Sequence, residues 1–238
     1  HGQRLAAGDT KVATCVNCHG GHGVRKVSDA KSPVYPLNVA TTCATCHADP
    51  AHMAGYQTTS GPLPTTQFEA YKGSVHYAAL TGKQDLSALT CNDCHGNHGA
   101  APPGAGAVVN VCGTCHAVFA EKFALSPHKD VFERGCIECH DNHRIVEPTD
   151  AMLSAAGGAL CATCHADDAG AKAATGMHGR IETLRAAVDR ADARLAQVRN
   201  AGLEVGEHEL RLREARNHLV LTRTEVHTFR EEAVAKVA

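Results

Sequence analysis

The sequence predicts a mostly α-helical chain with extensive irregular loops, in which three repeats precede an antiparallel pair of helices. Three observations carry this expectation. The 12 cysteines of the 238 residues fall into six Cys-x-x-Cys pairs. All 9 prolines lie at or before Pro148. The segment after residue 178 is rich in charge and follows a helical period without proline or cysteine.

The composition argues against an ordinary hydrophobic core. Only 4 Tyr and 5 Phe accompany 12 Cys and 17 His, and Trp is absent. Much of the 43% hydrophobic fraction consists of alanine and cysteine, which bury little area each. We therefore expect something other than side chains to fill the interior. The net charge of -2 gives no basic footprint for nucleic acid, and no apolar run is long enough to span a membrane.

A histidine follows each cysteine pair directly, and no cysteine is left over. Two thiols at this spacing add across the vinyl groups of one porphyrin while the next histidine reaches the iron, so the motif is the attachment signature of c-type haem. A zinc ribbon or a redox disulfide would not require that histidine. Six motifs predict six covalently attached haem c groups, each with its iron. The predicted thioether positions are Cys15, Cys18, Cys43, Cys46, Cys91, Cys94, Cys112, Cys115, Cys136, Cys139, Cys161 and Cys164, and the predicted proximal ligands are His19, His47, His95, His116, His140 and His165.

The motifs form three two-haem units, at about 1–60, 61–125 and 126–177. Each odd-numbered motif continues as CHxxH and has one more histidine upstream, whereas the even-numbered motifs do not continue as CHxxH. Six spare histidines for six irons predict bis-histidine ligation throughout. The pairing of particular histidines with irons stays open at this point. The predicted distal ligands are His1, His22, His76, His98, His128 and His143.

Three further histidines are reserve candidates for distal ligation, namely His52, His178 and His227. The last two fall at the same end of the predicted helical pair, near the sixth motif. Either could replace His1, the weakest of the six because chain termini fray unless they are held. Methionine, another axial ligand, occurs only at three non-repeating positions.

The region 178–238 predicts an antiparallel helical hairpin that follows a hexahaem domain over 1–177. Apolar residues recur at spacings of three and four from Ile181 to Val198 and again from Leu212 to Phe229. Gly202 and Gly206 interrupt the pattern between the two stretches. This is the signature of two amphipathic helices joined by a short turn.

Over residues 1 to about 178 the sequence resembles the multihaem c-type cytochromes, in particular those with a doubled CXXCH unit. The resemblance implies that a CHxxH histidine ligates a neighbouring haem and draws consecutive porphyrins together. At one haem per roughly 40 residues, we expect a continuous haem chain that transfers electrons, with no catalytic residues. The expected partners are redox proteins or extracellular acceptors. Self-assembly into a filament with haem ligation between subunits is the sharper form of this expectation.

Two alternatives from other classes stay open. A multihaem reductase acting on nitrite or hydroxylamine would need one open-sided iron, often marked by lysine in place of the motif histidine, and no CxxCK occurs. A haem subunit of a larger respiratory complex would use the helical hairpin for docking. Covalent haem attachment implies export to the periplasm or the cell exterior. We accordingly expect His1 to be a mature N-terminus, since no signal peptide precedes it.

Overall fold

The computed structural model describes residues 1–58, 61–104, 107–154, 159–166 and 168–238. The predicted mostly helical architecture with loops and a C-terminal helical pair is confirmed. The chain divides into two compact units, one formed by His1–Ala107 and His140–Glu147, the other by Val108–Cys139 and Pro148–Ala238. Residues 59 and 60, at the predicted boundary between the first two haem units, lie outside the described residues. The three haem units and the division at residue 177 stay predictions.

Short helices dominate the first unit. A two-stranded antiparallel ribbon, β1 (Gln57–Thr58) and β2 (Gly61–Pro62), pairs Gln57 with Pro62 and Thr58 with Gly61. The helices are α1 (Gly2–Ala6), α2 (Cys15–His19), α3 (Pro36–His47), α4 (Pro50–Met53), α5 (Gln67–Lys72), α6 (Val75–Gly82) and α7 (Cys91–His95).

The first and third motifs begin their helices by the same device. Thr14 precedes α2, and its backbone N–H donates to Asn17 Oδ1 at 2.8 Å. Thr90 precedes α7, and its backbone N–H donates to Asp93 Oδ2 at 2.7 Å. Both are capping boxes. Because Asn17 and Asp93 are the second variable residues of their Cys-x-x-Cys pairs, the start of the helix is encoded within the motif itself.

The side-chain core of the first unit is small. Leu80 on α6 is 1% exposed and Ala40 on α3 is 3% exposed. The Tyr71 hydroxyl donates to the carbonyl oxygen of Leu89 at 2.6 Å. The backbone N–H of Val75 donates to the carbonyl oxygen of Ile145 at 2.8 Å. This last bond ties the segment after the fifth motif into the first unit.

The second unit contains the long C-terminal helices. Its α-helices are α8 (Val108–Gly113), α9 (Ala117–Ala124), α10 (Ile137–His140, whose last residue belongs to the first unit), α11 (Ala169–Asn200), α12 (Gly206–Glu225) and α13 (Glu231–Ala235), and its 3-10 turns are Pro127–Asp130, Asp150–Leu153, Cys161–Thr163 and Val226–Thr228. None of the helices in the described ranges is both long and apolar enough to cross a membrane.

The helical pair differs from its predicted form at both ends. Helix α11 begins at Ala169, upstream of the expected start, because the Asp168 side chain caps it by accepting from the Ala171 N–H at 2.9 Å. Helix α12 ends at Glu225, although the apolar pattern continues to Phe229. Phe229 adopts a left-handed conformation with φ 53° and redirects the chain into α13.

Helix α13 completes the packing of the pair. One apolar cluster is formed by buried residues of all three helices and of the turn after α12, namely Met177, Ile181, Leu219, Val226 and Val234. Ile181 and Val234 are fully buried. Arg223 on α12 forms a bidentate ion pair with Asp150, at 2.9 and 2.7 Å. The hairpin is thus held by ordinary side-chain packing.

Truncation of the centre of this cluster should destabilise the protein strongly. We expect Ile181→Ala to lower the free energy of unfolding by about 2–5 kcal/mol, because it removes fully buried methyl groups and leaves a cavity. The measurement is urea unfolding of the haem-loaded chain, followed by helical circular dichroism. Leu221→Ala is the matched control, since Leu221 is 51% exposed, and its effect should stay within about 0.5 kcal/mol. Equal losses in the two variants would contradict the described core.

Candidate functional site

Helical geometry places the reactive atoms of a motif on one side. Helices α2 and α7 each coincide with a full Cys-x-x-Cys-His motif, and α3 and α10 each end on a motif histidine. Residues at i, i+3 and i+4 lie on the same helix face, so both sulfurs and the imidazole point the same way. None of the twelve cysteines, all of which lie within the described residues, forms a disulfide.

Within the first unit, cysteines of successive motifs lie close together in space. Cys43 of the second motif donates a hydrogen bond to the sulfur of Cys91 in the third, which raises the pKa of Cys43 and lowers that of Cys91 to about 7. Burial, with Cys46 of the second motif nearby, raises the pKa of Cys18 in the first motif. The attachment points of the first three motifs are therefore neighbours.

The second unit repeats this arrangement. Cys112 of the fourth motif donates a hydrogen bond to Cys136 of the fifth, which lowers the pKa of Cys136 to about 7. Burial, with Cys161 and Cys164 of the sixth motif nearby, raises the pKa of Cys139. The attachment points of the fourth, fifth and sixth motifs form a second close series.

Four motif histidines each face one histidine from outside the motifs. In each of these four pairs the second ring belongs to one of the six predicted distal ligands. The planes of two pairs are nearly parallel, at 21° and 9°. The ring-centre distances are 5.8 Å for His1 and His47, 6.1 Å for His19 and His98, 5.9 Å for His95 and His143, and 6.0 Å for His128 and His165.

This spacing fits an iron between two imidazoles. Metal–nitrogen bonds of about 2.0 Å, with about 1.2 Å from nitrogen to ring centre, put the ring centres of a bis-histidine iron about 6.4 Å apart. Direct ring contacts span a similar range of about 4.5–7 Å, so the distance alone does not distinguish the two. Each of the four ring pairs combines one motif histidine with one predicted distal ligand, as a bis-histidine site requires.

The tautomers of several histidines suit metal binding. The Nδ1 of His95 donates to the carbonyl oxygen of Ala101 at 3.3 Å. The Nδ1 of His165 donates to Asp168 Oδ2 at 2.7 Å, and this bond holds the pKa of Asp168 below its usual range. With the proton on Nδ1, the lone pair lies on Nε2, the nitrogen that would bind iron.

The remaining predicted ligands lie in the following positions. His22 is exposed in the loop after α2, and His76 is half-buried near the start of α6. His116 precedes α9, with its ring centre 6.1 Å from that of Phe119. His140 is the last residue of α10. Their roles as ligands stay predictions.

The three reserve histidines lie in different environments. His52 on α4 is close enough to His47 to contribute, after burial and His95, to the lowered pKa of His47. His178 is half-buried on α11. His227 lies in the turn after α12, where its Nδ1 donates to the Thr224 carbonyl oxygen at 3.2 Å. That bond puts the lone pair of His227 on Nε2, as in His95 and His165.

The surroundings of His128 and His165 contain residues that the sequence analysis missed. Phe132 stacks on the His128 ring at 5.0 Å, and Phe229 meets it edge-on at 4.3 Å. Asp168 accepts from His165 on the other side. Phe132 and Asp168 follow those histidines by four and three residues, a spacing that could have found them, whereas Phe229 is brought in by tertiary structure alone.

Comparison with known proteins identifies part of this site. Residues 128–170 match the family model described as "Doubled CXXCH motif". The match covers the fifth and sixth motifs, with His128 and Asp168, and is less than a fifth of the chain. No curated protein matches the chain, and no solved structure does. The doubled motif indicates covalently bound haem c and suggests electron transfer.

Removal of a distal ring should open one haem face. We expect His98→Ala and His143→Ala each to give the reduced protein one new carbon monoxide-binding haem, because each ring faces a motif histidine about 6 Å away. The measurement is the carbon monoxide difference spectrum. His208→Ala, which removes an exposed histidine on α12, should leave the spectrum unchanged. Identical spectra for all three variants would contradict the assignment of these rings.

Proposed function

We propose that this chain is an electron carrier in which six covalently attached, bis-histidine c-type haems form a closely spaced series. The observation that carries the proposal is the set of four histidine pairs, each with one motif ring and one predicted distal ring. When bound, haem iron supplies reversible one-electron oxidation and reduction. The chain's own residues hold the irons, close both faces of each and fix the spacing of the attachment points.

The order of the pairs supports close spacing. His98, from the CHxxH of the third motif, lies against His19 of the first. His143, from the CHxxH of the fifth, lies against His95 of the third. Each such histidine belongs to one repeat and serves the odd-numbered motif of the repeat before it. This offset, together with the adjoining cysteines of successive motifs, draws neighbouring haems together.

Two imidazoles on one iron leave no position for a substrate, so we propose transfer of electrons without chemistry on a small molecule. The expected partners are redox proteins or extracellular acceptors. Export to the periplasm or the cell exterior belongs to the same proposal, because the attachment of haem c takes place outside the cytoplasm. The chain then needs no catalytic residue.

A haem count and a ligand-binding assay test this proposal together. We expect the mass of the intact chain to show six haem additions, one per motif. The reduced, unmodified protein should bind no carbon monoxide, because every iron carries two histidines. It should also lack turnover of nitrite or hydroxylamine with a reduced dye. A lower haem count would contradict the six-haem assignment. Carbon monoxide binding or turnover would instead favour a reductase.

The offset also supports the filament form of the proposal. His22 is the CHxxH histidine of the first motif, and within the described residues its ring faces no motif histidine. Its side chain is exposed. We propose that His22 ligates an odd-numbered haem of another copy. Such a head-to-tail contact does not close on itself and therefore propagates into a filament.

Loss of His22 should stop this assembly. We expect the unmodified haem-loaded protein to form long particles in negative-stain micrographs and on sizing columns. His22→Ala should reduce them to single chains, because the ligand between copies is gone. His218→Ala, another exposed histidine, is the matched control and should still assemble. A monodisperse unmodified protein at high concentration, or an assembling His22→Ala variant, would rule out this role of His22.

A further inference from the structure

His165 has a carboxylate partner that is fixed in place by a helix. Its Nδ1 donates to Asp168 Oδ2 at 2.7 Å. The other oxygen, Oδ1, accepts from the backbone N–H of Ala171 at 2.9 Å and caps α11. Both oxygens of Asp168 are thus engaged, one by the histidine and one by a helix of 32 residues. The carboxylate cannot rotate away from His165 without uncapping that helix.

Gly170 provides independent evidence that this contact is a built feature. A Cβ at position 170 would lie 2.3 Å from His165 Nδ1 and 2.5 Å from its Cε1. Any side chain there would displace the imidazole from the first turn of α11. Glycine at this position therefore lets the ring lie directly on the helix start, beside Asp168.

The opposite ring of the pair has no comparable acceptor. His128 faces His165 at 6.0 Å and lies between the rings of Phe132 and Phe229. Its Nδ1 is buried and makes no hydrogen bond with any described residue. The polar influence on this pair therefore comes from the His165 side, where the acceptor carries a full negative charge.

A carboxylate acceptor differs in effect from a carbonyl. At His95 the corresponding Nδ1 meets a backbone carbonyl oxygen at 3.3 Å, a longer and uncharged partner. A charge-assisted bond of 2.7 Å is shorter and about twice as strong. A carboxylate on the far nitrogen raises the basicity of the ligating one, and a stronger donor favours the ferric state.

We infer that Asp168 is a positioning residue that makes His165 a strong donor and lowers the reduction potential of the haem on the sixth motif. This inference rests on the proposed function, in which His165 and His128 share that iron. It assigns to one of the six haems a distinct energetic role, that of releasing electrons to its neighbours. Gly170 also contributes, because only a residue without a side chain leaves room for the His165 ring beside Asp168.

Spectroelectrochemical titration of the full haem-loaded chain tests the role of Asp168. In Asp168→Asn the cap is kept and the charge is lost, so we expect the midpoint of one haem to rise while the others stay in place. A tenfold change in its ratio of oxidised to reduced forms corresponds to about 59 mV for one electron. The low-spin ferric signal of the same haem should change in electron paramagnetic resonance, a readout that a purely structural cap would not move.

Two further variants complete the design. Asp168→Ser also keeps a capping side chain without a carboxylate and should raise the same midpoint, so the test does not depend on the folding of one variant. Asp189→Asn is the control, because it removes an equal charge from an exposed site on α11. Unchanged titrations in Asp168→Asn and Asp168→Ser, with helical content intact, would overturn the inference. Carbon monoxide binding by the unmodified chain would instead overturn the proposed function, and it is read separately.

Discussion

The rest of the architecture depends on an imidazole facing a second imidazole across about 6 Å. These pairs connect positions as distant as 19 and 98, in a unit whose side-chain core is small. In the proposed function, the iron that both rings would bind holds them in this arrangement. Under that proposal the first unit would be organised around its ligands, and its folding would be coupled to haem attachment.

The C-terminal helices are stabilised by the packing of apolar side chains, and this difference decides which parts of them could be predicted from the sequence. Their apolar residues repeat at three and four, so the pair is readable from the sequence, and Ile181 and Leu219 are indeed buried. The start of α11 was placed too late because the apolar stripe begins after it, whereas Asp168 sets the true start. Helix α13 has only five residues, too few to show a period. It depends on the left-handed turn at Phe229 and on burial of Val234, both tertiary effects.

The candidate site shows the same division. The motifs identify the attachment cysteines and proximal histidines directly, because that chemistry requires adjacent residues. The partners are not adjacent. That His98 faces His19 rather than a nearer motif histidine follows from the fold, and no local rule gives it. Of the two phenylalanines that contact His128, one could be predicted from the sequence and the other could not. Phe132 is near in sequence, whereas Phe229 arrives from the far end of the chain.

The offset between repeats has a consequence for how such a chain can lengthen or shorten. The CHxxH histidines His98 and His143 each face a motif histidine of the repeat before their own. Insertion of a whole repeat supplies two motifs and both extra histidines, and it leaves the ligand count balanced. Insertion or loss of half a repeat would leave an iron without a distal histidine, or a histidine without an iron. Gene duplication would therefore be tolerated in steps of two haems. The repeat that follows each new one would supply the distal histidine for its odd-numbered motif.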